Sequence, residues 1–167
     1  MMTEEHKITE DTQDTSNENK KQTQLLTFTL NEEEYGISIL QVKEIREWDE
    51  TTRLPNSEKC MRGIINLRGV VVPIFDLRKK FQMDEIDAND KNVVIIVNLH
   101  NRTIGVLVDA VSDILTIAEE EIKTAPNMDE HIDSEYVEGI ISDKDRMVVV
   151  LNIENIFSRP LAEIKTK

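Results

Sequence analysis

Apolar residues in this chain come in short, β-branched runs separated by single glycines, asparagines and acidic turns. Along Met61–Phe81, the runs Gly63-Ile64-Ile65 and Val70-Val71-Val72-Pro73-Ile74-Phe75 flank Asn66-Leu67-Arg68-Gly69, a pattern that predicts two strands of a hairpin. The polar stretch from Asp76 to Phe81 has helical or turn-like spacing. Upstream, Leu26, Phe28 and Leu30 alternate with Thr27 and Thr29, predicting a half-buried strand, with Tyr35–Ile39 as its return. Val93–Leu99 is apolar throughout but for Asn98 and predicts a central strand buried on both faces. His100-Asn101-Arg102 then turns the chain and Thr103–Val108 returns it. Ala118–Lys123 reads as a helical turn, Tyr136–Ile141 with Arg146–Asn152 as a last hairpin, and Asn152–Phe157 as a short helix or turn. Thr51–Glu58, Gln82–Lys91 and Ala125–Glu135 are loops. Two readings stay open for Leu40–Trp48. Val42 and Ile45 face a core at helical spacing, or Val42, Glu44 and Arg46 line one face of a strand.

The same grammar occurs twice. Gly63 to Phe81 and Gly139 to Phe157 are equally spaced, and Asp76-Leu77 falls on Asn152-Ile153. Leu26, Phe28, Gly36, Ile37, Val42, Glu44 and Ile45 match Ile95, Val97, Gly105, Val106, Val111, Asp113 and Ile114 at one constant offset (26 to 95, 45 to 114). The later offset is larger (63 to 139), so the second copy carries extra residues between Leu115 and Tyr136. Such self-similarity predicts a duplicated all-β unit, two small five-stranded barrels with short helical segments at turns and near the C-terminus. The repeat halves span roughly 25–81 and 92–157, within a folded unit over 25–158. Residues 1–24 are polar, acidic and without apolar periodicity, so a disordered tail is expected there, with order beginning at Leu25, and a short tail is expected over 159–167.

Charge narrows the functions. With 20 Lys and Arg against 33 Asp and Glu, the formal net charge is −13, which repels phosphate backbones. Arg78-Lys79-Lys80, the one basic run of note in the folded part, reads as a solvated face. No apolar stretch reaches the length of a membrane span and no signal peptide opens the chain, so a cytoplasmic protein is expected. A single cysteine, Cys60, excludes an internal disulfide and a cysteine-cluster metal site, and with no nearby histidine it reads as inert.

Catalytic motifs are missing: there is no GxSxG, HExxH, Walker loop, dinucleotide fingerprint or CxxC. His6 lies in the tail, and His100 and His131 sit in turns with no spaced partner. Asp76, Asp109 and Asp113 stand among apolar residues, and their recurrence fits local capping or solvation better than acid–base work. No enzyme, cofactor or metal is expected. Arg68, an unpartnered planar cation at a hairpin tip, is well placed for contact with another molecule.

The series Leu26-Thr-Phe-Thr-Leu30, Glu34-Tyr-Gly-Ile37, Val42-Lys-Glu-Ile-Arg46, Gly63-Ile-Ile-Asn-Leu-Arg-Gly69, Val72-Pro-Ile-Phe-Asp-Leu-Arg78 and Val108-Asp-Ala-Val-Ser-Asp113 resembles the CheW family of bacterial chemotaxis coupling proteins, from about Leu25 to Phe157. The resemblance implies two Src-homology-3-like barrels sharing a hydrophobic core. It also implies a non-catalytic adaptor that joins the cytoplasmic tip of chemoreceptors to the regulatory domain of the histidine kinase CheA, and that assembles with further copies into rings. By position, Ile39, Leu40, Val42, Glu44 and Arg68 correspond to receptor contacts. Gly63, Arg68, Lys123 and Met128 correspond to kinase contacts. Relatives usually carry Arg and an aromatic where Lys123 and Met128 stand, so planar and stacking contacts are lost there. Such an adaptor meets membranes only through its receptors. A CheV-like adaptor would need a receiver domain after about Phe157, where ten residues follow, and an isolated CheA regulatory domain would need kinase domains upstream. A small-barrel nucleic-acid binder would need a basic face with exposed aromatics.

Overall fold

The computed structural model describes residues 21–84, 91–100, 102–124 and 134–157. Ten strands form two five-stranded sheets. In chain order they are β1 (Gln22–Leu30), β2 (Glu33–Ser38), β3 (Val42–Glu47), β4 (Met61–Leu67), β5 (Val70–Asp76), β6 (Val93–Leu99), β7 (Arg102–Val108), β8 (Ala110–Ala118), β9 (Val137–Asp143) and β10 (Arg146–Leu151). One sheet runs β8-β1-β2-β10-β9, the other β3-β6-β7-β5-β4. Each therefore takes strands from both repeats. The exchange is made by two equivalent parallel pairs, β2 with β10 and β5 with β7, and two equivalent antiparallel ones, β1 with β8 and β3 with β6.

Side-chain alternation sends most strands into two cores at once. On β6, Ile95 and Val97 enter a large core between the sheets, while Val94 and Ile96 enter a smaller one inside the second sheet. This is the double burial expected of Val93–Leu99. The large core holds Phe28, Tyr35, Phe75, Phe81 and Phe157, all essentially inaccessible. Leu25, Ile117, Ile141, Val148 and Val150 fill the first sheet.

Each sheet curls closed through one backbone bridge, Thr52 to Ile64 in the second and Lys123 to Ile140 in the first. The repeated glycines belong to these closures. A Cβ on Gly63 would lie 2.6 Å from the Thr52 carbonyl oxygen, and one on Gly139 would lie 2.4 Å from that of Lys123. No side chain fits at either place.

Several local expectations change. β1 starts at Gln22 rather than at Leu25, because Gln22, Thr23 and Gln24 pair with Ala118, Ile117 and Thr116 of β8, a partner remote in sequence. Leu40–Trp48 is neither a helix nor a plain strand. A 3-10 turn over Ile39–Gln41 leads into β3, and a register shift between Val42 and Glu44 sets Val42 opposite Val97 but Glu44 opposite Ile96. The extra residue turns Val42 and Glu44 to opposite faces, so they do not share one. The same irregularity recurs in β8.

Asp76 caps the one-turn helix α1 (Leu77–Lys80) by accepting from the Arg78 amide at 3.0 Å, and Asn152 caps α2 (Ile153–Ile156) from the Asn155 amide at 3.1 Å. Asp109 and Asp113 are not local caps. Asp109 pairs with Arg78, and Asp113 binds the Thr27 hydroxyl and Arg146, partners far away in sequence. Arg78 accordingly leaves the solvated face expected of its basic run and is only 11 % exposed at its side chain. His100 also has a partner, Glu154, at 3.1 Å. The expectations for residues 1–20, His6, Met128, His131 and the tail from 159 concern positions outside the described residues.

Candidate functional site

Beginning at Ser38, the chain leaves the first sheet and enters the second. The Ser38 hydroxyl accepts from the Leu40 amide at 3.3 Å and sets the 3-10 turn. That turn pushes Leu40 outward, 91 % exposed, whereas Ile39 and Val42 on either side pack half-buried against the inter-sheet core. Gln41 is anchored by its amide to Glu154 at 3.1 Å. Leu40 is thus an apolar side chain held in solvent on an ordered backbone, beside a half-buried apolar seam.

The hairpin tip of β4 and β5 meets β3 at Glu44. Arg68 and Gly69 both take positive φ (51° and 87°), and the Asn66 side chain accepts from the Gly69 amide at 2.8 Å, so the turn is a tight two-residue one. The Arg68 guanidinium reaches the Glu44 carboxylate at 2.9 Å, and Arg46 approaches its other oxygen at 3.4 Å. Arg68 is therefore partnered, contrary to the sequence expectation, although its side chain stays 70 % exposed. The hydrogen bond from Arg68 holds the Glu44 carboxyl below the usual carboxylate range, with its charge and Arg46 adding to the effect. Two guanidiniums around one carboxylate leave a local excess of positive charge on an acidic protein.

The structure brings Glu44 and Arg68 into contact, with Ile39, Leu40 and Val42 on the segment leading into the same strand. It does not bring the other residues to this place. Gly63 is buried inside the closure of its sheet. Lys123 is exposed on the other sheet, where its backbone bridges Ile140. Sequence reasoning missed Arg46 and the exposed Ile45, which is 46 % accessible. The bulge that exposes them carries no residue-type signature.

Among the described residues no group of His, Cys, Asp or Glu is placed to hold a metal. The Cys60 thiol is buried, and burial with the nearby Glu58 pushes its pKa up to about 11. Every Phe is buried, so none offers a stacking platform for bases. No described helix is long and apolar enough to cross a membrane.

Two intertwined five-stranded sheets, with an exposed leucine where the chain crosses between them and an ion pair on the second, define a paired small-barrel protein. Residues 24–161 match the family model of the CheW-like domain, and the chain belongs to that family. It is 42 % identical over 135 residues to the chemotaxis protein CheW of Klebsiella aerogenes, covering 81 % of each chain. It is 33 % identical over 135 residues to the chemotaxis protein CheW of Bacillus subtilis, covering 81 % of this chain and 86 % of that one. The crystal structure of the scaffolding protein TtCheW from Thermoanaerobacter tengcongensis superposes with a TM-score of 0.76 at 32 % identity, over 82 % of this chain and 93 % of that one.

Proposed function

We propose that this chain is a non-catalytic chemotaxis adaptor that couples the cytoplasmic tip of chemoreceptors to the regulatory domain of the histidine kinase CheA, in the cytoplasm at membrane-associated arrays. The observation that carries the reading is the exposed Leu40 between half-buried Ile39 and Val42, followed along β3 by the Glu44–Arg68 pair. A helical hairpin tip would cover Leu40 and the seam beside it, while the ion pair fixes orientation. Full burial of one such aliphatic side chain is worth about 1.5–3 kcal/mol before ordering costs. A few anchors of that size give micromolar affinity, about −8 kcal/mol, which suits reversible assembly.

Lys123, with Met128 further along, serves the kinase-facing surface in this reading, together with Arg68, while Gly63, buried in the closure of its sheet, contributes by shaping the backbone beneath it. Further copies of the chain join the same rings. The test is co-sedimentation with a chemoreceptor signalling fragment, with and without CheA. Receptor-dependent recruitment of the chain and, through it, of CheA is the expected result. Equal CheA recruitment without the chain would overturn the reading.

A further inference from the structure

Between β3 and β4 the closure of the second sheet is incomplete, with no strand-to-strand ladder joining the two. These two strands stand at opposite ends of its strand order; the Thr52–Ile64 backbone bridge links the two sides at one end of the gap and the Arg68–Glu44 ion pair at the other. Beside that bridge lies a cleft of about 440 Å³. Its floor reaches Ile74 and Val94 of the sheet's own core, and Trp48 and Ile65 pack half-buried against that core from the walls.

Backbone parity shows what the cleft can pair with. Ile64 exchanges two bonds with Thr52, at 2.9 and 3.0 Å, so its N–H and C=O point away from β5. Two residues on, Asn66 points its own pair the same way, into the cleft. Across the gap, the Trp48 amide bonds Asn92 at 3.0 Å on the β6 side, so Glu47 turns its N–H and C=O to the open side. The cleft thus has a strand edge on either bank and an apolar floor.

The equivalent seam in the first sheet is closed from within. Ile117, the counterpart of Trp48, is 6 % exposed, β8 runs to Ala118, and Ile122 packs on the core. The open seam is therefore a property of one copy only. Its mouth is acidic: Glu47, Asp49 and Glu50 stand there against Arg46, which already faces Glu44.

We propose that this cleft accepts an extended segment of a partner protein by strand addition, with apolar side chains at alternate positions on the floor and basic residues at the acidic mouth. The site is distinct in chemistry from the Leu40 anchor, which fits a helical surface.

Trp48 is the single tryptophan and reports directly. The experiment titrates the full chain with the peptide acetyl-Lys-Val-Thr-Val-Lys-amide, following Trp48 fluorescence and the Asn66 and Glu47 amide resonances. A saturable change at all three is expected. Binding should weaken roughly five- to tenfold in Glu47→Lys/Glu50→Lys, a surface double variant that leaves the floor intact. It should vanish when proline replaces the central threonine, which removes a ladder donor. No saturable change, equal binding of the proline peptide, or perturbations confined to Leu40 would each overturn the proposal. So would a Trp48 change that appears on concentrating the chain alone and to which the peptide adds nothing, since that assigns the cleft to a second copy.

Discussion

Arg78 grips Asp109 at two points, Nη2 to Oδ2 at 2.6 Å and Nε to Oδ1 at 2.7 Å, and so ties α1 to the end of β7. The Asn31 amide donates to the same carboxylate at 2.8 Å, linking the β1–β2 turn to the other sheet. Two segments of the first repeat and one of the second are thereby pinned around one carboxylate.

This pair is worth more than a surface bridge, because its side chains are only 11 % and 21 % exposed and its geometry is bidentate. Arg78→Ala strands a half-buried carboxylate, and a loss of about 2 kcal/mol is expected, lowering Tm by about 4–8 °C. The double variant Arg78→Ala/Asp109→Ala should cost less than the sum of the two single changes. Denaturant unfolding of the four proteins measures the coupling. Strict additivity would show that the pair contributes nothing.

Acid should weaken the fold through the same groups. Burial pushes the Asp109 carboxyl up, but the hydrogen bonds from Arg78 and the Asn31 amide outweigh it and leave the group below its ordinary value. Asp113 is lowered by the Thr27 hydroxyl and then by Arg146. A carboxyl whose folded pKa lies below its unfolded one adds stability that is complete above the unfolded value and lost as pH falls through the folded one. The urea midpoint should therefore be flat above about pH 5 and drop below about pH 4. Arg78→Ala should flatten that drop, and an unchanged slope in the variant would exclude Asp109 as a source.

Much of this architecture is legible in residue order, and the reason is local. Alternation such as Leu26, Phe28, Leu30 is enforced by two-sided pleating, and Gly63 and Gly139 mark closures that tolerate no Cβ. What escapes is non-local. The carboxylate of Asp109 finds Arg78 31 residues away, a pairing that sequence spacing cannot signal. Strand exchange between the repeats follows from the parallel β2–β10 and β5–β7 pairs, whose partners look like any other apolar run. At the candidate site Arg68 was readable as a hairpin-tip cation. Its contact with Glu44 was not, because the bulge after Val42 turns Glu44 to the other face and nothing in Val42-Lys43-Glu44 announces it.

Gly63→Ala and Gly139→Ala test the closures. Each new methyl would meet a backbone oxygen closer than 3 Å, and Gly63 also sits at φ +143°, where side chains are strained. Losses of about 2 kcal/mol or more are expected, larger at Gly63. Thermal melts of the two variants decide it. A Gly63→Ala protein as stable as the parent would mean the Thr51–Thr52 segment moves aside freely.

Cys60 should be inert while the chain is folded. With its pKa pushed up to about 11, the thiolate is on the order of one part in a thousand at pH 8, and the sulfur is buried as well. A thiol reagent at pH 8 should modify the folded protein at least a hundredfold more slowly than the protein in denaturant. Equal rates would place the sulfur at the surface.

The proposed docking face can be tested apart from the fold, because Leu40 and Arg68 stand largely in solvent. Leu40 is 91 % exposed, so Leu40→Asp removes little packing, and Tm should stay within about 2 °C of the parent. Arg68→Glu faces Glu44 with a like charge, yet at 70 % exposure the repulsion is screened and the melting curve should hardly move. Val42→Asp is the poorer probe, since Val42 packs against the inter-sheet core and a charge there perturbs folding as well as docking. Both surface variants should lose receptor-dependent recruitment by at least tenfold in co-sedimentation while keeping the parent melting curve. Retained recruitment in both would move the receptor contact away from this face, whereas loss confined to Arg68→Glu would make the ion pair, and not the apolar anchor, the determinant.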